Sequence, residues 1–433
     1  MNGEAASATN AIDRIPMSLR VGLVAIAIGI GAGIGGIALT WLLRAVQRVA
    51  YAYPAGLVPF LDGVEAATHE RRFVVMLICG LVVAFAWRVL DRYGRPRVTA
   101  AHALEADDPK MPVITTSIHA ALQIVTVALG SPLGREVAPR EVGAAFGGWL
   151  AARAGLSIEQ RRTMIACGAG AGLAAVYNVP VAGALFTLEV VLRTRDWRPL
   201  LAAIATSVVA AWIGRLGLGD VTQYAVHSFA VDASLILWSV VAGPLIGIAA
   251  FAFKRACDRV RLPDRPHEWR IAIAAIVAFA CIGVLAGSFP EVLGNGKNPA
   301  QLAFDGLFGS TPSAVLLIMK VAVVMMALAV GASGGLLTPS VACGALFATV
   351  LGSGWSLLWP GPASGAYALV GAAAFLAAAQ SMPLTAIALL FELTHASPGF
   401  FVPIILAVAG ATVCSRLSAR FVRPVRLRRE STS

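Results

Sequence analysis

GAGAGLAAVYNVPVAGALFTLE at residues 168–189 and GAAAFLAAAQSMPLTAIALLFE at residues 371–392 are two versions of one pattern. Pro180 pairs with Pro383 and Glu189 with Glu392, each 203 residues apart. Further upstream the offset is 200, which pairs Gly94 with Gly294, Gly134 with Gly334 and Pro139 with Pro339. A drift of three residues amounts to one or two small insertions, so the halves 18–226 and 232–420 read as copies of one unit. In a long apolar chain, twofold self-similarity has few meanings, chief among them a transporter built from two repeats. The offset alone does not say whether the copies are parallel or inverted; that depends on whether each half crosses an odd number of times.

Composition sets the solvent. The chain is 58% hydrophobic and 13% charged, against about 25% charged in soluble domains. It is read as an all-α integral membrane protein. Apolar runs recur at 21–49, 73–90, 112–133, 141–155, 163–192, 199–217, 235–255, 270–288, 313–332, 338–358, 364–394 and 399–415. Runs this long without period-two alternation fit helices rather than a barrel. Several are too short, or too broken by Gly and Pro, for a simple span, which predicts tilted and interrupted helices.

The net charge of +11, from 34 Lys and Arg against 23 Asp and Glu, is not read as a nucleic-acid surface. Arg416, Arg420, Arg423, Arg426, Arg428 and Arg429 crowd the segment after the last apolar run. That crowding predicts a basic cytoplasmic tail at 421–433 facing lipid headgroups. The N-terminal segment 1–17 carries Arg14 but no cleavable signal pattern and is expected on the same side. Six cysteines without CxxC spacing and six histidines without ligand spacing predict neither disulfides nor a metal, and no cofactor is expected.

Within the apolar frame, charge is concentrated in LGSPLGREVAPREVGAAFGG at 129–148, where Arg135, Glu136, Arg140 and Glu141 fall within seven positions. A second pairing across the halves joins His119 with Lys320, each mid-run and 201 residues apart. A cation at membrane depth costs several kcal/mol unless it faces protein or water, so matched basic groups point to a positive pathway. The plainer alternative is a snorkelling lysine and a satisfied core histidine.

GRE at 134–136, the segment at 168–189 and GGLLTP at 334–339, in this order, resemble the signature segments of the CLC chloride channels and chloride/proton antiporters. The resemblance implies two inverted repeats of tilted, interrupted helices and a homodimer with a separate pore in each subunit. It places the protein in a bacterial inner membrane with its C-terminus cytoplasmic. It also implies an anion held near the midplane by backbone N–H groups at converging helix N-termini, here Gly134, Arg135, Val137, Gly335, Leu336, Leu337 and Thr338. Glycine permits such close backbone approach, and a helix N-terminus offers positive potential without a buried full charge. By the same resemblance Glu136 is the gating glutamate, able to occupy an anion site when ionised and to swing away when protonated. Arg135, Arg140 and Glu141 are expected to pair with one another or to sit near the aqueous vestibule.

The departures from the family pattern bear on mechanism. A gapless count puts Gly94-Arg95-Pro96-Arg97-Val98 where relatives carry Gly-Ser-Gly-Ile-Pro, so Arg95 stands in place of the serine that touches the central anion and is either a candidate anion ligand or, if the local alignment slips, a residue outside the site. No tyrosine follows Tyr367, where many relatives have one near the C-terminal end. Antiporters of the family commonly end the 168–189 type of segment with two glutamates; here the pair is Glu189-Val190. An aliphatic side chain cannot relay protons, so Glu136 is expected to act chiefly as a gate, and Glu189 to be structural like its mate Glu392. Chloride is the default ion; a proton-coupled antiporter and a fluoride- or nitrate-selective relative are the alternatives. A remote alternative is an intramembrane aspartyl protease, from Gly217-Leu218-Gly219-Asp220, but no Tyr-Asp partner appears elsewhere and no enzymatic activity is expected.

Overall fold

The computed structural model describes residues 17–194, 196–220, 222–262, 269–359 and 361–421. Its first half contains α1 (Met17–Tyr51), α2 (Phe60–Ala66), α3 (His69–Tyr93), α4 (Ala100–Glu105), α5 (Val113–Ala128), α6 (Val137–Arg153), α7 (Ile158–Tyr177), α8 (Pro180–Phe186) and α9 (Arg198–Leu218). The second half contains α10 (Ala233–Val260), α11 (Trp269–Ser288), α12 (Lys297–Phe304), α13 (Ser310–Ala329), α14 (Leu337–Ser356), α15 (Ser364–Gln380), α16 (Pro383–Thr394) and α17 (Phe401–Phe421). Apart from α2, each first-half helix has a mate in order, from α1 with α10 to α9 with α17. Eight helices are long and apolar enough to cross a membrane; α5, α15, α16 and the unit formed by α8 with the turn after it are apolar but shorter.

The punctuation of the chain explains the repeat. The apolar runs 163–192 and 364–394 are each two helices, not one. α7 ends where Asn178 adopts a left-handed conformation with φ of 59°, and Pro180 starts α8; α15 ends at Ser381 with φ of 54°, and Pro383 starts α16. Proline suits the first turn of a helix because its missing N–H would have no intrahelical partner there. A single π turn, Thr187–Leu192, continues α8 and carries both Glu189 and Val190.

Packing repeats as well. α6 lies against α7, and their mates α14 and α15 pack likewise. At the first crossing, a Cβ on Gly143 would run into the carbonyl of Gly168; at the second, one on Gly344 would lie 2.7 Å from the carbonyl of Gly371. Such small-residue crossings let helix backbones meet where lipid offers no hydrophobic drive. α3 packs against its own mate α11, and α8 against its mate α16.

Between α8 and α16 the halves exchange caps. Glu189 accepts from the N–H groups of Leu384 (3.1 Å) and Thr385 (2.7 Å) at the start of α16. Glu392 accepts from Val181 (2.9 Å) and Ala182 (2.7 Å) at the start of α8. Each carboxylate satisfies orphan donors and meets the positive end of the other half's helix. Glu189 is therefore engaged structurally, as its correspondence with Glu392 implied.

The expected 1–17 and 421–433 segments lie, but for Met17 and Phe421, outside the described residues, together with Arg14, Arg423, Arg426, Arg428 and Arg429. Arg416 and Arg420 belong to the last turns of α17.

Glu189→Ala and Glu392→Ala should each lower unfolding stability by about 1–3 kcal/mol, since each leaves two helix-start donors without their acceptor. Thermal unfolding of the purified protein in detergent tests this. Unchanged melting in both variants would remove the caps from the list of what joins the halves.

Candidate functional site

After α5 the chain turns at Gly130, whose φ of 108° requires glycine, and continues to Gly134. There it meets the matching stretch of the second half. Gly134 N–H donates to the Gly335 carbonyl at 2.8 Å, and Gly335 N–H donates back to Gly134 at 2.9 Å. The bridge is antiparallel, as two copies related by an in-plane twofold axis require. It brings together the starts of α6 and α14, whose first N–H groups have no intrahelical acceptors.

Glu136 occupies the N-cap position of α6 but does not cap its own helix. Its side chain is 0% exposed, and Oε1 accepts from Leu337 N–H, the first residue of α14, at 2.7 Å. Oε2 is buried with no hydrogen-bond partner. A Cβ on Gly335 would overlap Oε1, and one on Gly134 would overlap Oε2. Both glycines are therefore needed for a carboxylate to reach this place, which is where an anion meets the most positive backbone.

Four more polar atoms near Glu136 are buried without partners: Arg135 Nε, Arg140 Nε, Tyr177 Oη and Thr338 Oγ1. The Arg135 guanidinium lies 5.2 Å from the Tyr177 ring centre, and its Nη2 donates to Gln223 Oε1 at 3.5 Å. The Tyr177 hydroxyl lies beside Thr338 and Arg135. Val137 is the first residue of α6, and Leu336, Leu337 and Thr338 are buried at the start of α14. The sequence-predicted residues Gly134, Arg135, Val137, Gly335, Leu336, Leu337 and Thr338 thus converge, but the N–H groups of Gly134 and Gly335, expected as anion donors, are committed to each other's carbonyls.

Other expected residues sit elsewhere. Arg95 is exposed on the coil before α4, and the structure does not bring it to Glu136. Arg97, two residues on, is exposed as well, but its guanidinium reaches His119 Nε2. His119 is buried, contacts Gln123 through Nδ1 and lies edge-on to Trp87. Lys320 is 0% exposed and donates to the carbonyls of Val292 (3.0 Å) and Gly294 (2.6 Å). Gly294 N–H in turn reaches the Gly130 carbonyl at 2.9 Å, so Lys320 braces the turn that leads into the site.

The expected pairing among Arg135, Arg140 and Glu141 is not found among the described residues. Glu141 instead accepts from Ala100 N–H at the start of α4, at 3.2 and 3.4 Å, because consecutive helix positions point in different directions. Sequence reasoning missed Tyr177. Its one signal was an aromatic hydroxyl at the end of an Ala-rich helix. Asp220 is exposed, receives a hydrogen bond from Asn178 and pairs with Arg215 at 3.3 Å, a surface arrangement unlike a buried catalytic aspartate.

Residues 74–416 match the model of the voltage gated chloride channel family. The chain belongs to this family. Among curated family relatives, it is 31% identical over 333 residues to a ClcB-like chloride channel protein of Ralstonia nicotianae, covering 73% of this chain and 75% of that protein. It is 28% identical over 309 residues to the H(+)/Cl(-) exchange transporter ClcA of Salmonella paratyphi A, covering 67% of this chain and 63% of the transporter. Among solved structures, a slow cyanobacterial Cl−/H+ antiporter superposes with a TM-score of 0.79 at 20% identity, covering 92% of this chain and 95% of that one. A CLC-type fluoride/proton antiporter superposes with a TM-score of 0.70 at 20% identity, with coverage of 92% and 95%. These likenesses show the fold: two inverted repeats of tilted, interrupted helices.

Gly335→Ala should expel the Glu136 carboxylate from Leu337 N–H while leaving the helices in place. A structure of the variant tests this. Glu136 Oε1 still within hydrogen-bond distance of Leu337 would show that the glycine is not what admits it.

Proposed function

We propose that the protein conducts a small anion, chloride by default, across a bacterial inner membrane, along a path that Glu136 closes and opens. The observation that carries this reading is the Glu136 carboxylate itself, fully buried and bonded to the leading N–H of a helix from the other half. An ionised carboxylate competes with a permeating anion for the same donors. Protonation removes its charge and its advantage at a helix N-terminus, and the side chain leaves.

Lys320 adds to the positive potential of this path, whereas His119, whose Nε2 meets the Arg97 guanidinium, contributes an acceptor rather than a second cation. Because Lys320 is wholly buried, salt screens its field little. Its bond to Gly294 also fixes the loop geometry, so Lys320→Met is expected to lower both flux and stability.

A proton-coupled exchanger is the second reading, favoured by the curated relative that is named an exchange transporter. Val190, half-buried in the π turn, has no proton to relay, so coupling is expected to be loose. A fluoride- or nitrate-selective transporter would use the same donors and would differ in the ion that permeates best. A second copy of the chain is the expected partner. It would cover the outer face near α8 and α16, where Val181 and Leu384 are exposed at 56% and 59%. Membrane lipids surround the remainder, and the arginines at and beyond the end of α17 support a cytoplasmic C-terminus.

Anion efflux from liposomes, with external pH recorded on the same sample, tests the reading. Flux should rise as pH falls, because Glu136 then carries a proton and vacates the donors. Glu136→Gln and Glu136→Ala should be open and nearly indifferent to pH. Retained pH dependence in Glu136→Gln would overturn the gate, and uphill proton pumping at fixed stoichiometry would favour the exchanger.

A further inference from the structure

Arg140 follows Glu136 by four residues and therefore stands on the same face of α6, one turn farther along. Its guanidinium carbon lies 4.3 Å from the centre of the Phe186 ring, itself buried. Its Nε is buried with no acceptor, and among the described residues it has no carboxylate within ion-pair distance. Glu136 and Glu141 lie within Coulomb range, but the first is bonded to Leu337 and the second to Ala100. The Arg140 side chain as a whole is partly exposed, but a buried guanidinium N–H without an acceptor is costly unless an anion or water meets it. Two hydroxyls in the same region, those of Tyr177 and Thr338, are more than nine-tenths buried and lie beside one another.

We propose that Arg140 is an anion-coordinating side chain within the permeation path, one helical turn from Glu136, and that it receives a small monovalent inorganic anion when the Glu136 carboxylate leaves Leu337. This rests on the anion-transport reading. The arginine does by a charge-assisted bond what the missing serine hydroxyl would do by a neutral one, from a different helix. The aromatic face beneath it excludes water and leaves few donors, which suits a single compact ion better than a bidentate carboxylate. With Glu136 protonated and withdrawn, Glu141 remains nearby to temper the positive potential, so that the ion is bound yet released.

Chloride titration calorimetry of purified protein in detergent, carried out on Glu136→Gln and on Glu136→Gln with Arg140→Gln or Arg140→Lys, tests the proposal. Loss of one charged hydrogen bond should weaken chloride binding roughly 10–100-fold when Arg140→Gln is added, with partial rescue by Arg140→Lys. Working in the Glu136→Gln background separates this from a counter-ion role, since a partner needed only to balance Glu136 would then be dispensable. Unchanged affinity on adding Arg140→Gln would overturn the proposal. Bromide diffraction from Glu136→Gln crystals needs no Arg140 variant: an anomalous peak in hydrogen-bond contact with Arg140 is expected, and peaks elsewhere along the path alone would overturn it. If Glu136→Gln neither binds chloride nor passes it in liposomes, the anion-transport reading has failed instead.

Discussion

The site depends on one pair of backbone hydrogen bonds, exchanged between Gly134 and Gly335. It is a point at which the two halves touch through their main chains, antiparallel, with helix starts on either side. A side chain at either glycine would occupy the volume that the Glu136 carboxylate fills. Helix N-termini repel one another electrostatically when aimed at a common point. Something negative is favoured between them, and in this structure the Glu136 carboxylate lies there.

Charges elsewhere in the interior follow a different logic. Lys320 commits its ammonium to two carbonyls and holds Gly294 against Gly130; Glu189 and Glu392 commit their carboxylates to the helix starts of opposite halves. These groups have partners, and their work is to fix the frame. Glu136, Arg140, Tyr177 and Thr338 differ in retaining buried polar atoms with no partner. Such atoms occur elsewhere in the interior as well, but around Glu136 they gather at the starts of α6 and α14 and the end of α7, where a small anion is proposed to bind.

Rigidity and openness are thereby divided between layers. The Gly143–Gly168 and Gly344–Gly371 crossings press α6 and α14 against their neighbours closely enough that the helix starts cannot drift. Only side chains are left to move, and the Glu136 side chain is linked to the opposite half through a single hydrogen bond at 2.7 Å. In the gate proposed for Glu136, protonation would release one side chain without any helix having to shift.

The sequence by itself determined the solvent, the helical class, the doubling of the chain and the singling out of Glu136. These lie in local features: apolar runs, Pro180 and Pro383 at one offset, and a carboxylate close to glycine in an apolar segment. Tertiary structure alone decided what each charge meets. The acceptor–donor pair of Glu136 and Leu337 spans 201 residues, and the caps at α8 and α16 span about as many. Arg95 was a candidate by position in the chain but is exposed, whereas Arg140, which the sequence assigned to a pairing or a vestibule, lies partly buried on Phe186. A linear order fixes which residues share a helix face. Where that face points depends on how the two repeats dock, and docking is set by packing among helices far apart in the chain.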